Sequence, residues 1–224
     1  YLAELPSKLT ATGVGRGYRA DEAAEQTPPP RKEVQLRAPL FEQGEKKLTP
    51  AEVGTAHHLF MQFCDFDAAC APNGVENELN RLAEKKILST EQAYAVDKRK
   101  IERFFASDLY KTFMAENKVR REFKFSVLVP VQAYFPVAAD APEENVLLQG
   151  VIDCLIETGD GFVILDFKTD RIKKGGAVER AEQYRPQLAA YARAVHEIYG
   201  RPVRACVLYF FHTGDTEWVS LDET

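Results

Sequence analysis

The sequence predicts an α/β (α+β) domain, a mixed β-sheet flanked by helices with extra helices ahead of it. Three observations predict it. Apolar residues recur at helical spacing from about residue 50 to 115. From Glu122 onward the texture turns to alternating, partly β-branched and aromatic runs. A long amphipathic stretch over 177–199 then precedes a last apolar run, so the second half reads β-β-β-α-β.

Each element follows from local chemistry. Residues 1–50 carry Gly13, Gly15, Gly17, the run Pro28-Pro29-Pro30 and Pro39, and read as a linker or a strap over the domain that begins at 51. Thr49-Pro50-Ala51-Glu52 is a helix start, with a hydroxyl cap, proline in the first turn and an acid close behind. The helix runs to about Cys64, with Ala56, Leu59, Phe60 and Phe63 on one face. Residues 75–86 and 90–115 read as two more helices. Glu122–Val129, Asn145–Glu157 and Phe162–Thr169 read as strands, the last two joined by the turn Thr158-Gly159-Asp160-Gly161. The helix over 177–199 stops at Gly200, ahead of Pro202. Val203–His212 is a further strand and Thr216–Leu221 an edge strand.

Composition narrows the class. Of 224 residues, 45% are hydrophobic and 28% charged, the balance of a soluble globular chain. No run of 18 apolar residues offers a membrane span, and no signal peptide is visible. The chain does not open on Met and reads as a piece of a longer protein, with a cytoplasmic setting expected. Cys64, Cys70, Cys154 and Cys206 form no CxxC pair and read as reduced, mostly buried thiols. Net charge is −5, against the habit of free-standing nucleic-acid binders. The charge is uneven, however: Lys168, Arg171, Lys173, Lys174, Arg180 and Arg185 face only Asp170, Glu179 and Glu182 over the same stretch. Such a stretch can hold a phosphate backbone.

The hairpin carries the chemistry. A turn centred between Gly159 and Asp160 sets Asp153 directly opposite Asp166. Opposed Cβ atoms lie about 4.5–5.5 Å apart, a separation at which two carboxylates can share one divalent cation. Lys168, two residues beyond Asp166, emerges on the same face. The neighbours Val151, Ile152, Cys154, Leu155, Val163, Ile164, Leu165 and Phe167 are apolar or weakly polar. Two like charges in such a setting need compensation; a cation with the adjacent lysine is the simplest, and a salt-bridged surface hairpin in which Lys168 neutralises one acid is the alternative.

Asp…(hairpin)…Asp-x-Lys is the active-site pattern of PD-(D/E)xK nucleases, and further matches extend it. Gly54-Thr55-Ala56-His57-His58 matches GTxxH of the RecB-like family. Gly150-Val151-Ile152-Asp153 and Asp166-Phe167-Lys168-Thr169 match its two strand motifs, and Gln187-Leu188-Ala189-Ala190-Tyr191 its QxxxY helix. Ser7-Lys8-Leu9-Thr10 and Arg121-Glu122-Phe123-Lys124-Phe125 match its opening segment and the strand before the hairpin. The chain resembles the C-terminal nuclease domain of AddA-type helicase–nucleases, of the RecB-like PD-(D/E)xK family, over nearly its whole length.

That resemblance implies a restriction-endonuclease-like core and a metal-dependent deoxyribonuclease. Asp153, Asp166, His58 and the backbone carbonyl of Phe167 would hold Mg²⁺, with Mn²⁺ able to substitute. Lys168 would be the catalytic lysine. Gln187, Tyr191 and Arg171 would orient the site or touch DNA. Helical phase puts His57, not His58, nearer the Ala56/Phe60 face; the motif alone selects His58. The substrate would be a single strand, 3′-ended, delivered by an upstream ATP-driven helicase absent from this sequence, during double-strand-break repair. The partner would be an AddB-like protein in a heterodimer. No cysteine precedes Cys64 or follows Cys206, so no iron–sulfur cluster is expected. Two rivals stand beside this reading. One is a catalytically degenerate module for DNA binding or subunit docking. The other is a metal hydrolase of another fold, in which Asp153 and Asp166 would not be in register.

Overall fold

The computed structural model describes residues 6–14, 48–135 and 144–221. In chain order its main elements are β1 (Lys8–Thr10), α1 (Ala11–Val14), α2 (Pro50–Phe63), α3 (Phe66–Cys70), α4 (Gly74–Glu84), α5 (Thr90–Ala95), α6 (Lys98–Ala106), β2 (Lys118–Pro130), β3 (Asn145–Thr158), β4 (Gly161–Lys168), α7 (Ala177–Tyr199), β5 (Val203–Phe210) and β6 (Thr216–Val219). The described residues form two compact units, one of 48–105 and one of 6–14, 106–135 and 144–221.

The first unit is helical. Thr49 caps α2 reciprocally: its hydroxyl accepts from the Glu52 N–H, and the Glu52 carboxylate accepts from the Thr49 N–H at 2.7 Å. The buried face of α2 is Gly54, Ala56, His57, Phe60 and Met61. It is turned from the expected one, since Phe63 is 42% exposed. His57 can go inside because backbone groups engage both its ring nitrogens: Nδ1 lies 2.8 Å from the Val53 carbonyl, and Nε2 accepts from the Asp97 N–H at 3.2 Å. That second bond also explains why the expected single helix over 90–115 is broken. The Asp97 amide is taken by a distant side chain, Val96 is extended, and α6 starts afresh. Short α3, capped by Asp65, fills a stretch given no element from the sequence. Buried Glu78 on α4 holds that junction, accepting from the Asp65 N–H at 2.6 Å and from Arg81, which also reaches the Phe63 carbonyl.

The second unit is built on a mixed sheet in the order β1-β3-β4-β5-β6, with β2 also paired to β3. It opens with a π-helical turn, Leu109–Met114, in place of the end of the expected helix. β2 is longer at both ends than expected, and β5 and β6 each stop two residues short. β3 and β4 match the expected hairpin to within a residue at each end. α7 spans the expected residues, runs through Pro186, and ends on Gly200 at φ 60, a left-handed conformation that suits glycine. Part of the stretch read as a strap is built into this unit. β1 pairs in parallel with β3, and Leu9 and Ala11 are buried in its core. The remaining glycine- and proline-rich part, including Pro28–Pro30 and Pro39, lies outside the described residues.

One core lies between the sheet and α7. Ile152 and Leu155 of β3, Phe162 and Ile164 of β4, and Cys206, Leu208 and Phe210 of β5 meet Leu188, Tyr191, Ala194 and Val195 of α7. Gly150 is required by close approach. A Cβ there would come within 2.6 Å of the Phe125 ring and 3.2 Å of the Ala11 methyl.

Candidate active site

The sheet forks where the hairpin aspartates stand. One edge of β3 is covered by β2 from Asn145 to Glu157. The other edge is shared: β1 takes Leu147–Gln149 and β4 takes Cys154–Thr158, leaving Gly150–Asp153 between them. β4 follows the expected hairpin register until Cys154 meets Leu165. The next position in that register sets Asp153 opposite Asp166. There β4 leaves β3 but stays with β5, pairing Asp166 with Leu208 and Lys168 with Phe210. Both aspartates therefore sit at the mouth of a split in the sheet, one position beyond the last pair of the hairpin. Positions where a sheet's neighbours diverge are natural binding clefts.

Side chains fill the split. The Phe167 N–H donates to Asp153 Oδ2 at 2.7 Å, so a carboxylate bridges the strands where the ladder has stopped. Asp166 is 4% exposed, and its Oδ2 lies 2.6 Å from Lys168 Nζ. Lys168 also donates to Gln187 Oε1 at 3.2 Å, and its ammonium stands 3.8 Å from the centroid of the Tyr184 ring. Gln187 is fixed in turn: its amide donates to the Tyr191 hydroxyl at 2.8 Å and to Thr12 of α1 at 3.4 Å. Gln187 and Tyr191 are thus gathered to Lys168 as the motif implies, while Arg171 is exposed on the loop after β4.

The local potential is negative. Burial pushes the Tyr191 hydroxyl far up, and both Asp166 and Asp153 push it further. Burial, with Asp166 behind it, pushes the Cys206 thiol up to about 12. Cys154, wholly buried, is also raised, first by burial and then by Asp153. The four cysteines are free thiols, three of them buried as expected, while Cys70 is exposed. Lys168 is paired with Asp166 here. The donor set of two carboxylates and a main-chain carbonyl is hard oxygen, the chemistry that suits Mg²⁺ or Mn²⁺, so the residues fit a divalent cation. Among the described residues, no group of three His, Cys, Asp or Glu side chains is gathered as a metal site. His58 is half-buried on α2, in the helical unit.

Some of the site was not legible beforehand. Glu122 lies across β2 from Asp153, between the pairs Arg121–Cys154 and Phe123–Ile152, and has φ 50. A non-glycine residue in that region costs roughly 1–3 kcal/mol and tends to mark functional sites. The Arg121–Phe125 match contained Glu122, but only its backbone conformation singles it out. Thr12, inside the expected strap, and Tyr184, one turn ahead of Gln187, carried no signal of their own.

Comparison with known proteins adds a family. Residues 31–220 match the PD-(D/E)XK nuclease superfamily. The chain is 40% identical over 216 residues to the AddA protein, an ATP-dependent helicase/nuclease, of Moorella thermoacetica, covering 95% of this chain and 15% of that protein. It is 41% identical over 176 residues to the protein of that name from Desulforamulus reducens, covering 79% of this chain and 14% of that one. For Desulforudis audaxviator the figures are 35% over 219 residues, 96% and 18%. The chain thus spans about a sixth of the length of these relatives.

Proposed function

Because the chain belongs to the PD-(D/E)XK nuclease superfamily and is a nuclease domain similar to part of the AddA helicase/nuclease, we propose that it hydrolyses DNA with a divalent metal, Mg²⁺ or Mn²⁺. The observation that carries this is the fork, which brings Asp153 and Asp166 together with Lys168 held on Asp166. Asp153, Asp166 and the Phe167 carbonyl would hold the cation. When bound, the cation supplies Lewis-acid chemistry at the scissile phosphate. Lys168 would orient the attacking water and donate to a non-bridging phosphate oxygen as charge builds there. Gln187 holds the ammonium in place, and Tyr191 and Thr12 hold Gln187. Arg171, exposed on the loop after β4, would meet the DNA backbone.

In the longer protein the domain would act as an exonuclease. It would cut the 3′-ended strand released by an ATP-driven helicase in bacterial cytoplasm during double-strand-break repair, beside an AddB-like partner. The weakly acidic charge suits a domain handed its substrate by a neighbour. The test is cleavage of labelled single-stranded DNA with Mg²⁺, with Mn²⁺ and with EDTA, alongside Asp166→Ala. Metal-dependent cleavage that falls at least about a hundredfold in the variant is expected. Equal cleavage by the variant would overturn the site. Saturable metal binding with no cleavage in any context would favour the degenerate module.

A further inference from the structure

Tyr184 does not belong to the family motifs set out above, yet it makes the closest aromatic contact to the lysine of the site. Lys168 Nζ stands 3.8 Å from the centre of the Tyr184 ring. The lysine side chain is only 12% exposed, so water screens that contact little. The ring is itself held through its hydroxyl. Its hydroxyl donates to Asp170 Oδ2, two residues beyond Lys168 on the strand's exit, and accepts from Arg180 Nη2 at 3.1 Å. Arg180 reaches Asp170 as well, Nε to Oδ2 at 3.2 Å, and Gln183 holds the same guanidinium. Asp170 is half-buried, and the hydrogen bonds from Tyr184 and Arg180 hold its carboxyl below the usual range despite burial. The Tyr184 hydroxyl is pushed well up, by burial first and then by Asp170, and stays a donor.

We infer that Tyr184 is a positioning residue for Lys168: its ring face holds the ammonium by a cation–π contact, while the Asp170–Arg180 pair fixes the ring. The physical need is clear. The ammonium is drawn to Asp166 at 2.6 Å. A cation arriving between Asp153 and Asp166 would compete with it for that carboxylate and repel it. Lys168 then needs partners other than the aspartate that keep it at the cleft. Gln187 supplies one neutral acceptor, and the Tyr184 ring supplies a second attraction that does not depend on Asp166. A desolvated cation–π contact is worth about 2 kcal/mol, or roughly thirtyfold in rate if the contact persists only in the reacting arrangement.

This inference rests on the proposed nuclease reading, and the test separates the two. In the full-length protein that contains this chain, Tyr184 is replaced by Phe and then by Phe carrying one, two and three ring fluorines. These side chains keep the shape of the ring and withdraw its negative face stepwise. Cleavage of single-stranded DNA is measured with saturating Mn²⁺. The expected result is that Tyr184→Phe, which keeps the ring but gives up the hydroxyl's bonds to Asp170 and Arg180, loses about threefold, and that log kcat falls further and stepwise with fluorination, to about a tenfold to thirtyfold loss, while KM for DNA moves less than about threefold. Tyr184→Leu, which folds if its melting curve matches the parent, should lie at or below the trifluorinated variant. A flat series overturns the inference, as does a loss carried by KM alone or a Tyr184→Phe as impaired as Tyr184→Leu. A parent protein that cleaves no DNA overturns the nuclease reading, and this inference with it.

Discussion

His57 is held in one protonation state by its two backbone partners. The Val53 carbonyl can only accept, so Nδ1 carries the proton; the Asp97 N–H can only donate, so Nε2 must be bare. The ring is neutral in the fold, and burial lowers its pKa below the usual 6.5. The sign follows. Above pH 6.5 neither folded nor unfolded chain is protonated here, and the contribution to stability is whole. Below 6.5 the unfolded chain takes a proton that the fold resists, and stability falls by up to about 1.4 kcal/mol per pH unit until the folded ring titrates too. Thermal melts at pH 7.5 and 5.5 should show a steeper loss for the parent than for His57→Gln, which starts less stable but lacks this titration. Equal slopes would sink the account. Both His57 nitrogens are engaged within the helical unit. The register of the hairpin that carries Asp153 and Asp166 was legible because it is local arithmetic. Tyr184 and Glu122 were not, because a ring beneath an ammonium and a positive φ are set by packing.

At the level of elements, the fork depends on what lies behind it. β1 and α1 close one arm of the split, and Gly150 lets Phe125 and Ala11 meet over β3. Phe125 meets the Tyr191 ring edge-on at 5.8 Å, and Tyr191 holds Gln187. A methyl at Gly150 would push into that chain of contacts. Gly150→Ala should cost about 1–3 kcal/mol in urea melts, as overpacked cores do, and the added substitution Phe125→Leu should return part of it. A Gly150→Ala variant as stable as the parent would show that the ring yields freely. The hairpin and α7 were predicted almost to the residue because turn, alternation and glycine cap are all local signals. β1 was missed because three residues carry no periodicity; its strand character comes from pairing with Leu147–Gln149. The helix over 90–115 was overextended because the break is made by His57, forty residues away.

For the whole molecule, the balance of charge matters more than its sum of −5. Under the proposed function the fold tolerates two carboxylates at the fork because a cation is to join Lys168 there. Metal should therefore stabilise the fold as any ligand selective for the native state does. Mn²⁺ at about a hundred times its Kd should add roughly 2.7 kcal/mol, seen as a saturable rise in melting temperature. Asp153→Ala and Asp166→Ala should each abolish that rise, and EDTA should reverse it in the parent. A rise that survives either substitution would place the cation elsewhere. Among the described residues, no helix is long and apolar enough to cross a membrane.

The sequence by itself determined the order of elements from β2 onward and the hairpin register up to Cys154 and Leu165, because each depends on residues close in the chain whose spacing fixes their relative positions. Only the tertiary structure decided the fork that parts β3 from β4, the recruitment of Thr12 from a stretch without periodicity, the inward turn of His57 and the ring of Tyr184 beneath the lysine. Those features arise where distant segments compete for the same edge or the same charge, and one-dimensional spacing holds no record of that competition.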